Sequence, residues 1–185
     1  MNKHIIRMKP LFALAILGLL FNACSDATLR IDNHAVGPIS SATSLAEVAA
    51  LFPNDSLAGR RNTQDSLVGE VELYDAQGTL RMIIFPKDEN DPKSTISFLR
   101  IVDPKFTTKD GLGVASSFGD LKKVLEITGV DNAINAVVVY FKDTPWYVSI
   151  DKKELPENIR YDYERNIEQA QIPEDAKIKY FFYAW

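Results

Sequence analysis

Hydrolytic and transfer chemistry needs nucleophiles, acid–base groups or metal ligands in workable combinations, and this chain of 185 residues carries few of them. Cysteine occurs once, at Cys24, and histidine twice, at His4 and His34. His4 sits in an N-terminal leader, which leaves His34. One imidazole cannot build a Ser-His-acid or Cys-His site, and a zinc site needs several such ligands. Ser149-Ile-Asp-Lys152 has the Ser-x-x-Lys spacing in which a lysine serves a serine nucleophile. Here it closes an apolar run instead of opening a helix, and no Lys-Thr-Gly follows. Asp88 and Asn90 fit the first two positions of an EF-hand calcium loop, but Pro92 and Leu99 stand where further ligands belong. Carboxylates remain: Asp143, Asp151 and Glu154 flank one turn, and an acid–base pair of such groups could run glycoside hydrolysis. No catalytic residue, cofactor site or metal ligand is assigned on these grounds.

The aromatic residues are more informative. Tyr140, Phe141, Trp146 and Tyr147 cluster on one hairpin, and the chain ends Tyr180-Phe-Phe-Tyr-Ala-Trp185. Alternation along the last strand puts Ile178, Tyr180 and Phe182 on one face. Lys177, Lys179, Phe181, Tyr183 and Trp185 share the other. The lysines turn that second face toward water at its start, leaving Phe181, Tyr183 and Trp185 partly exposed or covered by a helix. Core packing is the first expectation for so many rings. The second is a surface for a protein or glycan partner, built from Trp146, Tyr147, Phe181, Tyr183 and Trp185.

The N-terminus up to Pro10 holds Lys3, Arg7 and Lys9 without an acid, and Leu11 to Phe21 is apolar apart from Gly18. That run is too short to span a bilayer, which takes ~20 residues, and reads as the core of a secretion signal over 1–23. The segment ends Leu20-Phe21-Asn22-Ala23-Cys24-Ser25, with the lone cysteine where the apolar run stops. This resembles the lipobox of bacterial lipoproteins. The resemblance implies that Cys24 carries acyl chains and becomes the first residue, and that Ser25 directs the protein to the outer membrane of the cell envelope. The whole chain sets 21 Lys and Arg against 25 Asp and Glu, a net charge of −4. Removing 1–23 takes away Lys3, Arg7 and Lys9 and no acid, so the mature chain is more acidic still. An acidic chain with scattered lysines is not a nucleic-acid binder. Membrane attachment would rest on acyl chains, and durable anchoring takes two or more.

These features need elements to position them. Residues 24–43 read as a polar tether with a short strand near Leu29 and Ile31. Ser44-Leu-Ala-Glu47 is a capping box opening a helix that Pro53 stops. Residues 53–66 read as a polar loop, followed by strands 67–74 and 79–85 about a turn at Gly78, and a third over 95–102. A second unit opens at Gly111-Leu-Gly-Val-Ala-Ser-Ser-Phe-Gly-Asp-Leu, where Ser117 and Asp120 repeat the capping logic. Strands 136–141, 146–150 and 177–185 follow, with a helix expected over 155–170 from apolar residues at every fourth position.

The expected fold is α+β: one antiparallel sheet with helices packed on one face, in a single domain over 44–185. The order of elements suggests two degenerate helix-plus-strands repeats, 44–104 and 105–185. The repeat is loose: the second strands, starting at 79 and 146, are closer in sequence than the caps Ser44 and Ser117, and the last strands, starting at 95 and 177, are further apart. The Gly111 to Leu121 stretch resembles one found in uncharacterised envelope lipoproteins. The helix-then-strands order is similar to the β-lactamase-inhibitor-like fold and to small lipoproteins of outer-membrane protein assembly. Together these features imply a lipid-anchored, non-enzymatic envelope protein that binds a partner. A carboxylate-based hydrolase of envelope glycans and a carrier of a small ligand are the alternatives.

Overall fold

The computed structural model describes residues 29–63, 66–161 and 166–185. It is built on an antiparallel sheet of eight strands: β4 (Ser56–Thr63), β5 (Ser66–Tyr74), β6 (Leu80–Pro86), β7 (Ile96–Ile101), β9 (Ile127–Asn132), β10 (Ala136–Phe141), β11 (Trp146–Asp151) and β12 (Ile178–Ala184). Their order is β4-β5-β6-β7-β12-β11-β10-β9, so two meanders meet at a seam between β7 and β12. A small second sheet, in the order β3-β2-β1-β8, joins β1 (Arg30–Ile31), β2 (Ala35–Val36), β3 (Ile39–Ser40) and β8 (Thr107–Thr108). Among the described residues helices are few and short: α1 (Val48–Leu51), α2 (Phe118–Val124) and α3 (Glu157–Arg160), with single 3-10 turns at 45–47, 152–154 and 169–171. The antiparallel sheet is as expected, but the chain is predominantly β and not a balanced α+β.

Both predicted caps form. Glu47 accepts from the Ser44 backbone N–H at 2.8 Å, and Asp120 accepts from that of Ser117 at 3.1 Å. Each carboxyl is held below its usual range chiefly by that backbone hydrogen bond. The caps are tied into the sheet in the same way. Leu45 N–H donates to Ser94 O and Ala46 N–H to Pro92 O; Phe118 N–H donates to Ala176 O and Gly119 N–H to Glu174 O. The two sets of donors are related by the spacing of Ser44 to Ser117, and the two sets of acceptors by the longer spacing of Arg100 to Phe182. At the seam, Arg100 pairs with Phe182, its own equivalent, and Leu99 and Ile101 pair with Tyr183 and Phe181. The seam therefore has the pairing of a two-fold axis through Arg100 and Phe182.

One face of the large sheet carries the core. Val71, Leu73, Met82, Ile84, Leu99, Ile101, Val137, Val139, Val148, Ile150, Phe181 and Tyr183 are fully buried there. They form one cluster with Leu45, Val48, Phe118 and Leu121 from the capped turns and with Ile31, Val36 and Ile39 from the small sheet. Residues 29–43 therefore belong to the folded body, and the tether expected over 24–43 is shorter than its composition suggests.

Two expectations are corrected, and one strand was not foreseen. The polar stretch 56–63 is strand β4, which pairs with β5 from Ser56↔Tyr74 to Thr63↔Ser66. As an edge strand it shows little of the apolar alternation that marks a half-buried strand. β9 is the other edge and is equally hidden in the sequence. The helix expected over 155–170 is one turn, α3; residues 162–165 of that stretch lie outside the described residues. Leu155, Ile159 and Ile167 are all buried and belong to the core cluster.

The glycine-led stretch before α2 is explained by contact. A Cβ on Gly113 would stand 2.5 Å from the Phe106 backbone oxygen, and one on Gly119 would stand 2.9 Å from that of Glu174.

Candidate functional site

The second face of the sheet has no layer of described residues over its centre that buries it fully. An antiparallel sheet with an open face usually turns polar side chains outward. Here the centre carries rings instead. Phe85 of β6 pairs with Phe98 of β7, and their rings stack at 4.1 Å and 11°. Phe182 of β12 pairs with Tyr147 of β11, stacked at 4.9 Å and 14°. Tyr140 of β10 lies 5.5 Å from Tyr147, and Tyr180 meets Phe182 edge-on at 5.9 Å. The Arg100 guanidinium lies between the two groups, 4.8 Å from the Tyr180 ring and 5.8 Å from that of Phe85. This strip crosses five strands, about 19 Å at the usual strand spacing. Its members are half-buried except Tyr140, which is 37% exposed.

Burial pushes the Tyr147 phenol up, and burial with a hydrogen bond to Asp131 does the same at Tyr140. Both therefore stay neutral and able to donate. Among the described residues no carboxylate pairs with Arg100, and its Nε is buried without a hydrogen-bond partner.

The five residues expected as a partner surface divide. Tyr147 is on the strip. Trp146, Phe181 and Tyr183 are in the core, at 8%, 0% and 0% exposure, with Trp146 6.4 Å from each of the other two rings. Phe181 and Tyr183 cannot meet a partner, Trp146 is reached only from the cleft described below, and for the two rings of β12 the reason is a bulge. Ser149 pairs with Tyr180 but Ile150 pairs with Ile178, so Lys179 is the extra residue and its charge does not report which face is wet. Lys179 instead bonds Asp151 at 2.9 Å. Trp185 packs against Tyr183 at 4.8 Å and donates its indole N–H to His34 O, fastening the β1–β2 turn. Sequence reasoning missed Phe85, Phe98 and Arg100. The available signal was the spacing between the last strands of the two halves, from 95 to 177, which aligns Phe98 and Arg100 with Tyr180 and Phe182.

Other candidate chemistry is committed elsewhere. The Ser149 hydroxyl is buried without a hydrogen-bond partner, so no base activates it. Asp151 receives the Lys153 N–H as well as Lys179, and Glu154 receives the Lys177 N–H. Asp143 occupies a left-handed turn position at φ 54°. Asp55 and Asp103 approach each other, but Arg81 sits between them, 3.3 Å from one and 3.9 Å from the other. That blocks the place a substrate would take. Asp88 accepts the Asn90 N–H in a local turn, and no metal-binding group of His, Cys, Asp and Glu occurs among the described residues.

A cleft of about 590 Å³ lies between the β1–β2 turn, the end of α2 and the β10–β11 turn. It mixes Arg30 and Lys109 with Asp32, Asp110 and Asp143 over an apolar floor. Cys24 lies outside the described residues. No helix among those described is long and apolar enough to cross a membrane.

No family model and no curated protein matches the chain. Its fold is similar to the crystal structure of the uncharacterized protein YfeY from Escherichia coli, with a TM-score of 0.58 and 16% identity over 84% of this chain and 99% of that one. At that identity the likeness concerns the fold alone.

Proposed function

We propose that the protein is a lipid-anchored module of the bacterial cell envelope that binds a partner through the aromatic face of its large sheet. The observation that carries this reading is the strip itself: rings and an arginine stand where an open antiparallel face usually turns polar groups outward. Tyrosine and arginine are also the residues that most often dominate binding energy at interfaces. The anchor is acylated Cys24 in the outer membrane. Only the short stretch 25–29 separates Cys24 from Arg30, so β1 stands within about 20 Å of the lipid surface. The matched caps and the two-fold pairing of the seam support descent of both halves from one helix-plus-strands unit.

Two measurements test the reading. A chain that starts at Cys24 with added acyl mass, and a Cys24→Ser variant that leaves the membrane fraction, would support the anchor; two soluble, unmodified chains would remove it. For the face, a photo-crosslinking residue at position 182 is compared in the envelope with one at Asp88. A discrete adduct from 182 alone is expected, and equal or absent labelling refutes it. A second reading, carriage of a small ligand, is favoured by the cleft, whose size suits such ligands.

A further inference from the structure

The stacking geometry restricts what can lie on the strip. Phe85 and Phe98 sit directly opposite each other on adjacent strands, and so do Tyr147 and Phe182. Each pair is nearly parallel, with centroids 4.1 and 4.9 Å apart, close to the spacing of the strands themselves. Rings that stack across a strand gap have their normals along the sheet. They stand upright and turn edges to the solvent, with one face of each against its partner. A sugar that docks by stacking needs a ring face turned to the solvent, and these two pairs turn their edges there.

Ring edges carry the positive end of the aromatic quadrupole. Arg100 adds a full positive charge at the centre of the strip, with its Nε buried and unpartnered and no carboxylate from the described residues beside it. In a chain of net charge −4 this is a local reversal of sign. Acids lie away from the middle: Glu72 shares the Arg100 row on β5, where it accepts the Tyr74 hydroxyl, and Asp131 lies beside Tyr140 toward β9. The pattern along the strip is negative, positive, negative, with apolar edges between.

Resting on the binding-face reading above, we propose that the strip docks a protein segment that sets a carboxylate on Arg100 and apolar side chains against the ring edges beside it. Guanidinium and carboxylate match in charge and in planar geometry. Burial between two rings holds the guanidinium in one orientation before the partner arrives, which lowers the ordering cost of docking.

The test uses the full chain in lipid nanodiscs, labelled with ¹⁵N at arginine and ¹³C in the phenylalanine rings, and three probes. They are a short peptide with a central glutamate between two leucines, its glutamine counterpart, and a linear hexasaccharide of N-acetylglucosamine. The expected result is a shift of the Arg100 Nε–H and the Phe182 ring signals with the glutamate peptide, binding at least tenfold weaker with the glutamine peptide, and none with the sugar. Arg100→Met should erase the preference for glutamate, and Arg100→Lys should retain only part of it; far-UV circular dichroism of both variants confirms the fold. Equal binding of the two peptides would overturn the carboxylate assignment while leaving an apolar binding face. Binding of the hexasaccharide at the strip would replace the protein partner by a glycan. Shifts elsewhere on the molecule alone would refute the face and this inference together.

Discussion

Phe181 and Phe182 are neighbours in sequence whose side chains point to opposite faces of the sheet, so truncating each in turn measures which face is the core. Phe181 is fully buried beside Trp146, and Phe181→Ala should cost about 3–5 kcal/mol through lost transfer energy and the cavity left behind. Phe182 is half-buried. Its truncation forgoes roughly 1 kcal/mol of burial, about half the value for a full side chain. It also loses the stacked pair with Tyr147, worth ~0.5–1.5 kcal/mol. The two variants should therefore differ by about 2 kcal/mol. With a urea slope of ~1–3 kcal/mol per M, their unfolding midpoints would lie roughly 1 M apart, Phe181→Ala the lower. Thermal midpoints would differ by about 4–8 °C. Far-UV circular dichroism is the suitable probe, because Trp146 fluorescence would respond to the local change itself. Equal midpoints, or the reverse order, would mean that the strand faces the other way and that the aromatic strip is the core.

Tyr183 lies in the core with no hydrogen-bond partner for its hydroxyl. Burial, helped by the Asp32 charge, pushes its phenol up to about 12, against a weaker opposing effect of the Trp185 indole. Between the ordinary value of 10.0 and 12 the unfolded chain loses this proton while the folded chain keeps it, so stability falls with rising pH, by up to about 1.4 kcal/mol per unit. Tyr183→Phe should be close to neutral at pH 7 and should flatten that decline, and urea titrations at pH 9 and pH 11 compare the slopes. Gly113→Ala, a change that often stabilises a loop, should here cost about 1–3 kcal/mol, because the new methyl meets the Phe106 carbonyl; thermal unfolding that rises instead of falling would contradict the contact. Ser117→Ala should remove about 1 kcal/mol in denaturant unfolding. Because Asp120 is held low in the folded state, its contribution is present at neutral pH and lost as pH falls through the folded-state value. Asp120→Asn should therefore lessen the loss of stability toward acid, and an unchanged acid limb would argue against the cap.

What could be read from the sequence was local. Ser44 with Glu47 and Ser117 with Asp120 announce their turns because a capping box is contained within a single helical turn, and the β10–β11 hairpin follows from one alternating run and one turn. β4 and β9 escaped because edge strands carry polar residues on a face that no neighbour buries. The expected helix over 155–170 failed because three buried anchors at suitable spacing need not share a helix. The facing of β12 was inverted by a single bulge at Lys179, which moved Phe181 and Tyr183 inward and left Tyr180 and Phe182 outside. Arg100 was passed over because a lone arginine in a strand says little until the strand beside it is known. Its neighbour β12 begins only at Ile178, after the rest of the second meander has been laid down.

The β7–β12 seam bears on how the protein reaches its native state. Most strands of each meander find partners across short turns and β12 reaches β11 over the connection 152–177, whereas the seam joins Phe98 to Ala184 and Ile101 to Phe181, across nearly half the chain. Loop closure over that distance is slow relative to hairpin formation, so the two meanders would form early and meet late. Until they meet, β7 and β12 are free edges with matching registers. Either edge could pair as readily with the complementary edge of another molecule as with its own. The same two-fold pairing that completes the monomer is thus a ready route to exchanged dimers, and the proposed lipid anchor would favour it by raising the local concentration.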